Sequence, residues 1–346
     1  MSLLEDRYRY LLRMLPASYR AEREAEMVSA FLEGAGDLRD EDNPRPRWSE
    51  VVSIVGLSVR VRLGGVGAVP RFFAWGEAVR LVAVLALAFH ATMSCAWLAE
   101  TLKRVVIPLS GGYEVTLGAP GSAQRSWEMA YALSCLLWTV AFVFLVRGGL
   151  RAAKLSAMLA LALSWGSVVQ REAAAADVPL ILQTLLFGVP VLALWAGFHR
   201  DAPRPSRPWW IAAVPVAAGV LLHTILDVLG SASMAPVVAS RVWAWVWPWL
   251  GESGLACTAL LAAGVACAGT HLRAPAGRSP SLPLALAILI VPVTLCRAYE
   301  LTFDVIDPIG RTMAAVTAGQ VVALLVSLLT LGVLAARRMP ALTRAT

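Results

Sequence analysis

The sequence predicts an all-α membrane protein: a polytopic transmembrane helix bundle of about eight helices, N-in/C-in, preceded by a small cytosolic three-helix domain. Three observations predict it. Long apolar stretches follow one another from residue 78 onward. The chain is 58% hydrophobic and 15% charged, where soluble domains run at about 45–50% apolar and about 25% charged. Charge is concentrated in residues 1–62, which hold 10 of the 30 Lys/Arg and 11 of the 23 Asp/Glu.

Residues 1–63 read as three short helices. Ser2-Leu3-Leu4-Glu5 fits a capping box, with hydroxyl and carboxylate each taking an orphan N–H. Leu4, Tyr8, Leu11, Leu12 and Leu15 then form one apolar stripe. Pro16 opens a second helix, where its missing N–H costs nothing. Its apolar positions are Ala21, Ala25, Val28 and Leu32, with Phe31 beside them, and Gly34-Ala35-Gly36 ends it. Asp37 to Arg47 is a charged, proline-bearing loop. A third helix starts near Ser49, with Val51, Val52, Val55 and Val59 inward. Helices this short are marginal alone, so the three must pack together or on a partner. Gly64-Gly65-Val66-Gly67 reads as a hinge within a juxtamembrane segment, 64–77.

Residues 78–336 carry the apolar stretches, near 78–99, 127–146, 155–171, 179–198, 209–229, 252–270, 283–300 and 313–336. A bilayer core of about 30 Å needs about 20 helical residues, and helices satisfy their own backbone polarity in lipid. Residues 337–346 form a cytosolic tail. With the N-terminus inside, the cytosolic loops and tail carry 11 basic residues, Arg147, Arg151 and Lys154 among them, and the outer side seven. Positive-inside therefore favours N-in/C-in. The net charge of +7 belongs to this region and fits headgroup contact, with no direct nucleic-acid binding. Arg241 to Trp249 holds four tryptophans and reads as an interfacial segment at the outer boundary. The five cysteines (Cys95, Cys135, Cys257, Cys267, Cys296) have no metal or redox spacing and read as small packing residues.

Ionisable groups at membrane depth are the strongest functional pointers. His90 falls near mid-membrane. His223 and Asp227 lie one turn apart on one helix face, and Arg297 and Glu300 form an i,i+3 pair. Glu100 ends the first stretch, Gln170-Arg171-Glu172 ends the third, and Asp304 and Asp307 follow the seventh. Helices running outward thus carry polar groups at their outer ends. If those ends converge, they form an outward-facing polar vestibule with His223, Asp227, Arg297 and Glu300 as members. No P-loop, HExxH or complete GxSxG pattern is present. The expectation is a non-enzyme without cofactor or metal site.

The run Arg7-Tyr8-Arg9-Tyr10-Leu11-Leu12-Arg13-Met14-Leu15-Pro16-Ala17-Ser18-Tyr19-Arg20, with Glu24, Glu26 and Met27, resembles the HAAS-type or permease-prefix helical domain. That domain precedes membrane segments in many bacterial proteins. The high Ala, Arg, Gly and Trp usage looks like that of a high-GC actinobacterium. The resemblance implies a cytosolic module that binds a partner such as a transcription regulator or a transporter ATPase. Arg9, Arg13, Arg20, Glu24 and Glu26 are the candidates for its docking face. The leading expectation is therefore a membrane regulatory or sensory protein in the cell membrane. The alternative is a transporter or transporter-permease subunit, with a polar path running from the vestibule past His90, Ser164 and Ser167. An intramembrane enzyme would need His223 and Asp227 to meet a further ligand or nucleophile. Oligomeric state is left open by the sequence.

Overall fold

The computed structural model describes residues 3–35, 45–65, 67–106, 121–169, 177–199, 202, 208–233, 238–273, 279–302 and 307–343. Among the described residues all regular structure is helical. Helices α1 (Leu3–Leu12), α2 (Ala17–Ala35) and α3 (Trp48–Arg62) form a small N-terminal unit. Nine more follow: α4 (Pro70–Val106), α5 (Ala123–Val146), α6 (Leu150–Val169), α7 (Asp177–Gly197), α8 (Val214–Ser233), α9 (Val238–Leu250), α10 (Glu252–Arg273), α11 (Ser281–Glu300) and α12 (Pro308–Thr343). A 3-10 turn, Trp209–Ala213, leads into α8. Five helical stretches are long and apolar enough to cross a membrane: Pro70–Lys103, Trp209–Gly230, Glu252–Arg273, Ser281–Glu300 and Pro308–Met339. Ala132–Val146 and Thr184–Gly197 are shorter apolar stretches. Ser2, residues 36–44, Gln170, Arg171, Glu172 and Asp304 lie outside the described residues, as does the side chain of Ser167.

Side-chain size sorts the bundle from inside to outside. Ala78, Ala83, Ala91, Ala141, Ala153 and Ala157 are fully buried. Large aliphatic side chains, among them Leu192, Val265 and Leu329, are about seven-tenths exposed on the outer faces. Water would drive the larger side chains inward. Where the surroundings are themselves apolar, that drive is gone, and small residues gain by letting backbones approach. Gly219 marks a close approach of α8 to α4: a Cβ there would sit 2.6 Å from the Thr92 carbonyl of α4. Two cores result. One joins α4, α5, α6 and α7 around Leu87, Leu145 and Leu194. The other joins α10, α11 and α12 around Cys257, Ile290 and Leu324, and Phe89 of α4 packs against it.

The N-terminal unit has a core of its own. Tyr8, Leu12, Leu15, Tyr19, Val28, Ile54 and Val61 are buried together, and Tyr8 stacks on Phe31 at 3.9 Å. The α1 stripe is the expected one. On α2, Ala21 and Ala25 are exposed, while Met27, Phe31 and Leu32 pack against the core. A lone methyl buries too little surface to hold a helix face against larger neighbours. On α3 the expected valine face is turned outward. Val52 is 66% exposed, Val55 and Val59 are also exposed, and Trp48 extends the stripe at 83%. The inward face carries Ile54, Leu57 and Val61. It also carries Ser58, whose hydroxyl donates to the Met14 carbonyl at 2.6 Å, as Arg62 does at 3.0 Å. Those two bonds satisfy a carbonyl just beyond α1, which the valine face cannot do.

Of the glycine segment expected as a hinge, Gly64 packs against the start of α4. Gly64 has φ +83° and its missing Cβ would touch Phe73 at 3.0 Å. At Gly76 a Cβ would lie 2.0 Å from the Leu63 carbonyl. The end of α3 therefore sits directly on the first turns of α4.

Gly219→Leu should force α8 away from α4 and cost about 1–3 kcal/mol, read as a lower Tm in detergent by tryptophan fluorescence. Gly230→Leu should leave Tm unchanged, since nothing lies within 4 Å of a Cβ there.

Candidate functional site

The five ionisable residues singled out from the sequence occupy three places. His223 and Asp227 of α8 face the C-terminal turns of α4. His223 Nδ1 lies 3.5 Å from a Glu100 carboxylate oxygen, and Asp227 forms an ion pair with Lys103. Glu100 and Lys103 are one turn apart, as are His223 and Asp227, so the contacts form a two-rung ladder. The Asp227 carboxylate is 43% exposed and its Lys103 partner 29%. Pairs this wet contribute under about 1 kcal/mol.

Arg297 sits elsewhere. It projects from α11 into the protein and is only 3% exposed. Its Nη1 donates to Ser253 Oγ of α10 at 3.2 Å and to the Glu300 carboxylate. Its Nη2 donates to the Gln320 side-chain oxygen of α12 and to the Pro248 carbonyl of α9. Gln320 is 1% exposed and donates to the same Pro248 carbonyl at 3.4 Å. Ser253 donates to Glu300 at 2.7 Å. The last four carbonyls of a helix lack intrahelical partners, and that of Pro248 is one of them. A guanidinium there also meets the negative end of the α9 dipole. One side chain thus ties four helices together.

The residues expected at one vestibule thus make their contacts in two clusters: His223 and Asp227 in an α4–α8 ladder, and Arg297 and Glu300 in a node of α9, α10, α11 and α12. Arg297 turns inward, where its Nη1 and Nη2 meet four acceptors, while its Nε is buried without a partner. Gln320, Ser253 and the Pro248 carbonyl escaped the sequence reading. A glutamine inside an apolar stretch and a proline near a helix end were the available signals.

His90 is in mid-α4 and 3% exposed. Its ring lies 5.1 Å from Trp138 and 4.8 Å from Phe187, centroid to centroid. The ring has a backbone hydrogen bond to Leu186 of α7, and its Nδ1 is buried with no partner. The carbonyl of Leu186 is free to accept because the residue four ahead is Pro190, which has no N–H to give it. Ser164 donates to the Leu161 carbonyl at 2.7 Å. Of the other histidines, His271 is buried in the last turn of α10, with Nδ1 2.9 Å from the Cys267 carbonyl.

On the N-terminal unit, Arg9 pairs with Glu5 at 2.8 Å and Arg13 lies over the Tyr10 ring at 5.6 Å. Arg20 and Glu24 are half-buried and Glu26 is exposed. Among the described residues no cluster of three His, Cys, Asp or Glu is placed to hold a metal ion. Comparison with protein-family models, with curated proteins and with solved structures finds no match.

Arg297→Ala leaves the Gln320 amide oxygen and the Pro248 carbonyl short of donors. The loss should be about 3–5 kcal/mol, whereas Asp227→Asn should cost under about 1 kcal/mol. Thermal unfolding of the two variants in one detergent separates the buried node from the exposed ladder.

Proposed function

We propose that this chain is a multi-pass cell-membrane protein with eight spans and both termini in the cytosol. It acts as a non-enzymatic regulator, in which the N-terminal unit holds a cytosolic partner and the bundle sets that unit's state. The observation that carries the reading is the course of α4. It is one helix of 37 residues, about 55 Å long at about 1.5 Å per residue. Its first turns bear the end of α3, its middle bears His90, and its outer turns bear Glu100 and Lys103. A change at the outer ladder or beside His90 therefore reaches the cytosolic unit through a single rigid element.

A HAAS-like module that binds a transcription regulator fits this arrangement. The docking face combines Arg9, Arg13, Arg20, Glu24 and Glu26 with the exposed Trp48, Val52, Val55 and Val59 stripe of α3. An apolar stripe of that length on an exposed helix is a protein-binding feature. Transport is the weaker reading. It needs a polar route past His90, and the neighbours of that ring are Phe89, Trp138 and Phe187.

Two experiments test the reading. Phosphatase fusions should be active when joined in the outer loop near residue 112 and inactive near residue 203; the reverse pattern overturns the orientation. Affinity capture of the full chain from native membranes should recover a cytosolic protein that is lost in Val52→Asp/Val55→Asp. Recovery unchanged by those substitutions, or no recovery at all, removes the docking role.

A further inference from the structure

Helix α7 ends among cations. Lys154 of α6 donates to the Phe198 carbonyl, just past that end, at 2.8 Å. Its ammonium lies 5.0 Å from the centre of the Trp195 ring. Arg80 of α4 packs on the same end: a Cβ on Gly197 would lie 3.1 Å from the Arg80 Cγ. Arg151 stands exposed one turn before Lys154 on α6. Among the described residues no ion pair holds Lys154, Arg80 or Arg151. Glu77, one turn before Arg80, accepts instead from Ser279 at 3.0 Å. The sequence deepens the imbalance. Residues 147–154 and 198–208 hold Arg147, Arg151, Lys154, Arg200, Arg204 and Arg207 against one carboxylate, Asp201.

Next to these cations the surface is apolar. Leu155 and Leu159 on α6 and Leu192 and Trp195 on α7 are at least half exposed. Gly219 meets Thr92 and Asp227 meets Lys103, so α8 runs parallel to α4. Trp209 and Trp210 at its start therefore stand exposed on the side where Arg80 lies. Exposed tryptophans at one level mark the boundary between headgroups and hydrocarbon. Basic pockets between helices at that level take the headgroups of anionic lipids. We propose that the end of α7 is a binding site for an anionic phospholipid, of the phosphatidylglycerol or cardiolipin type. Its phosphate lies among Arg80, Arg151 and the Lys154 ammonium, which has three N–H donors and gives one to Phe198. Its acyl chains run down Leu155, Leu159 and Leu192. The Phe198 carbonyl holds the ammonium in place before the lipid arrives. The site rests on the orientation proposed above only for its leaflet. Phosphatase fusions test the leaflet, and lipid labelling tests the site whichever way the bundle lies.

The test uses the full chain in phosphatidylcholine nanodiscs. They are doped with a phosphatidylglycerol that carries a diazirine on an acyl chain close to the glycerol. Photolysis is followed by mass spectrometry of the labelled residues. Labelling should saturate, fall within residues 151–159 and 192–198, and be displaced by plain phosphatidylglycerol. A diazirine-bearing phosphatidylcholine with the same chains should label those residues about tenfold less, since each cation near a headgroup is worth a factor of about five. Lys154→Gln should lower that ratio about fivefold, and Lys154→Arg should keep it. Arg80→Gln/Arg151→Gln leaves the Lys154 bond to Phe198 in place and should bring the ratio close to one. A ratio near one in the unaltered chain overturns the anionic class. Labelling spread over other outward faces, at Val220 and Leu329 for example, overturns the site. A ratio unchanged in both Lys154→Gln and Arg80→Gln/Arg151→Gln overturns the residues assigned. Displacement by inorganic phosphate as complete as by phosphatidylglycerol makes the occupant a soluble anion and overturns the lipid.

Discussion

A polar group inside an apolar helix bundle has no water to turn to, and the node around the buried Arg297 answers to that constraint. An unsatisfied carbonyl or amide in such surroundings costs several kcal/mol. Helix interiors solve the problem internally. Helix ends do not, because four carbonyls at each C-terminus have no N–H to meet. Three carbonyls in or just past the last turn of a helix accept from cationic side chains, one of them at the exposed surface of the N-terminal unit. Arg62 donates to the Met14 carbonyl just past α1. Lys154 donates to the Phe198 carbonyl just past α7 at 2.8 Å. Arg297 donates to the Pro248 carbonyl in the last turn of α9. Each cation also faces the negative end of a helix dipole. Each comes from a different helix, so satisfying the end also fixes which helices are neighbours.

Proline works the same constraint from the other side. Inside a helix it withholds an N–H and strands the carbonyl four residues back. In α7 the stranded oxygen is that of Leu186, and the ring of His90 takes it. A buried histidine and a mid-helix proline are each unfavourable alone. Across the α4–α7 contact they offset one another and set the orientation of the ring.

The apolar stretches were legible because their length is imposed from outside: a span needs a fixed number of residues, whatever its neighbours. Each expected stretch falls within or along one of the helices α4 to α8 and α10 to α12. The α1 stripe was legible because all five of its members are large. The faces of α2 and α3 were not. Alanines and valines at helical spacing do not say which side is inward, and on α3 the choice was made by Ser58 and Arg62 reaching a carbonyl 44 and 48 positions away. The same holds for the polar sites. His90, His223, Asp227, Arg297 and Glu300 stood out by their depth in apolar segments. Their partners did not, because the acceptors of Arg297 lie up to 49 positions off and one is a backbone oxygen that no residue type announces.

Packing then explains why a void persists beside His90. A bundle held by close backbone contact uses alanine and glycine where helices cross, and such residues cannot reach across a gap once helices diverge. Between α4 and α10 the walls are alanine and leucine, with the histidine at one side. At about 24 cal/mol per Å³ of unfilled volume, leaving this space empty is a standing cost that a single leucine in place of Ala256 would reduce.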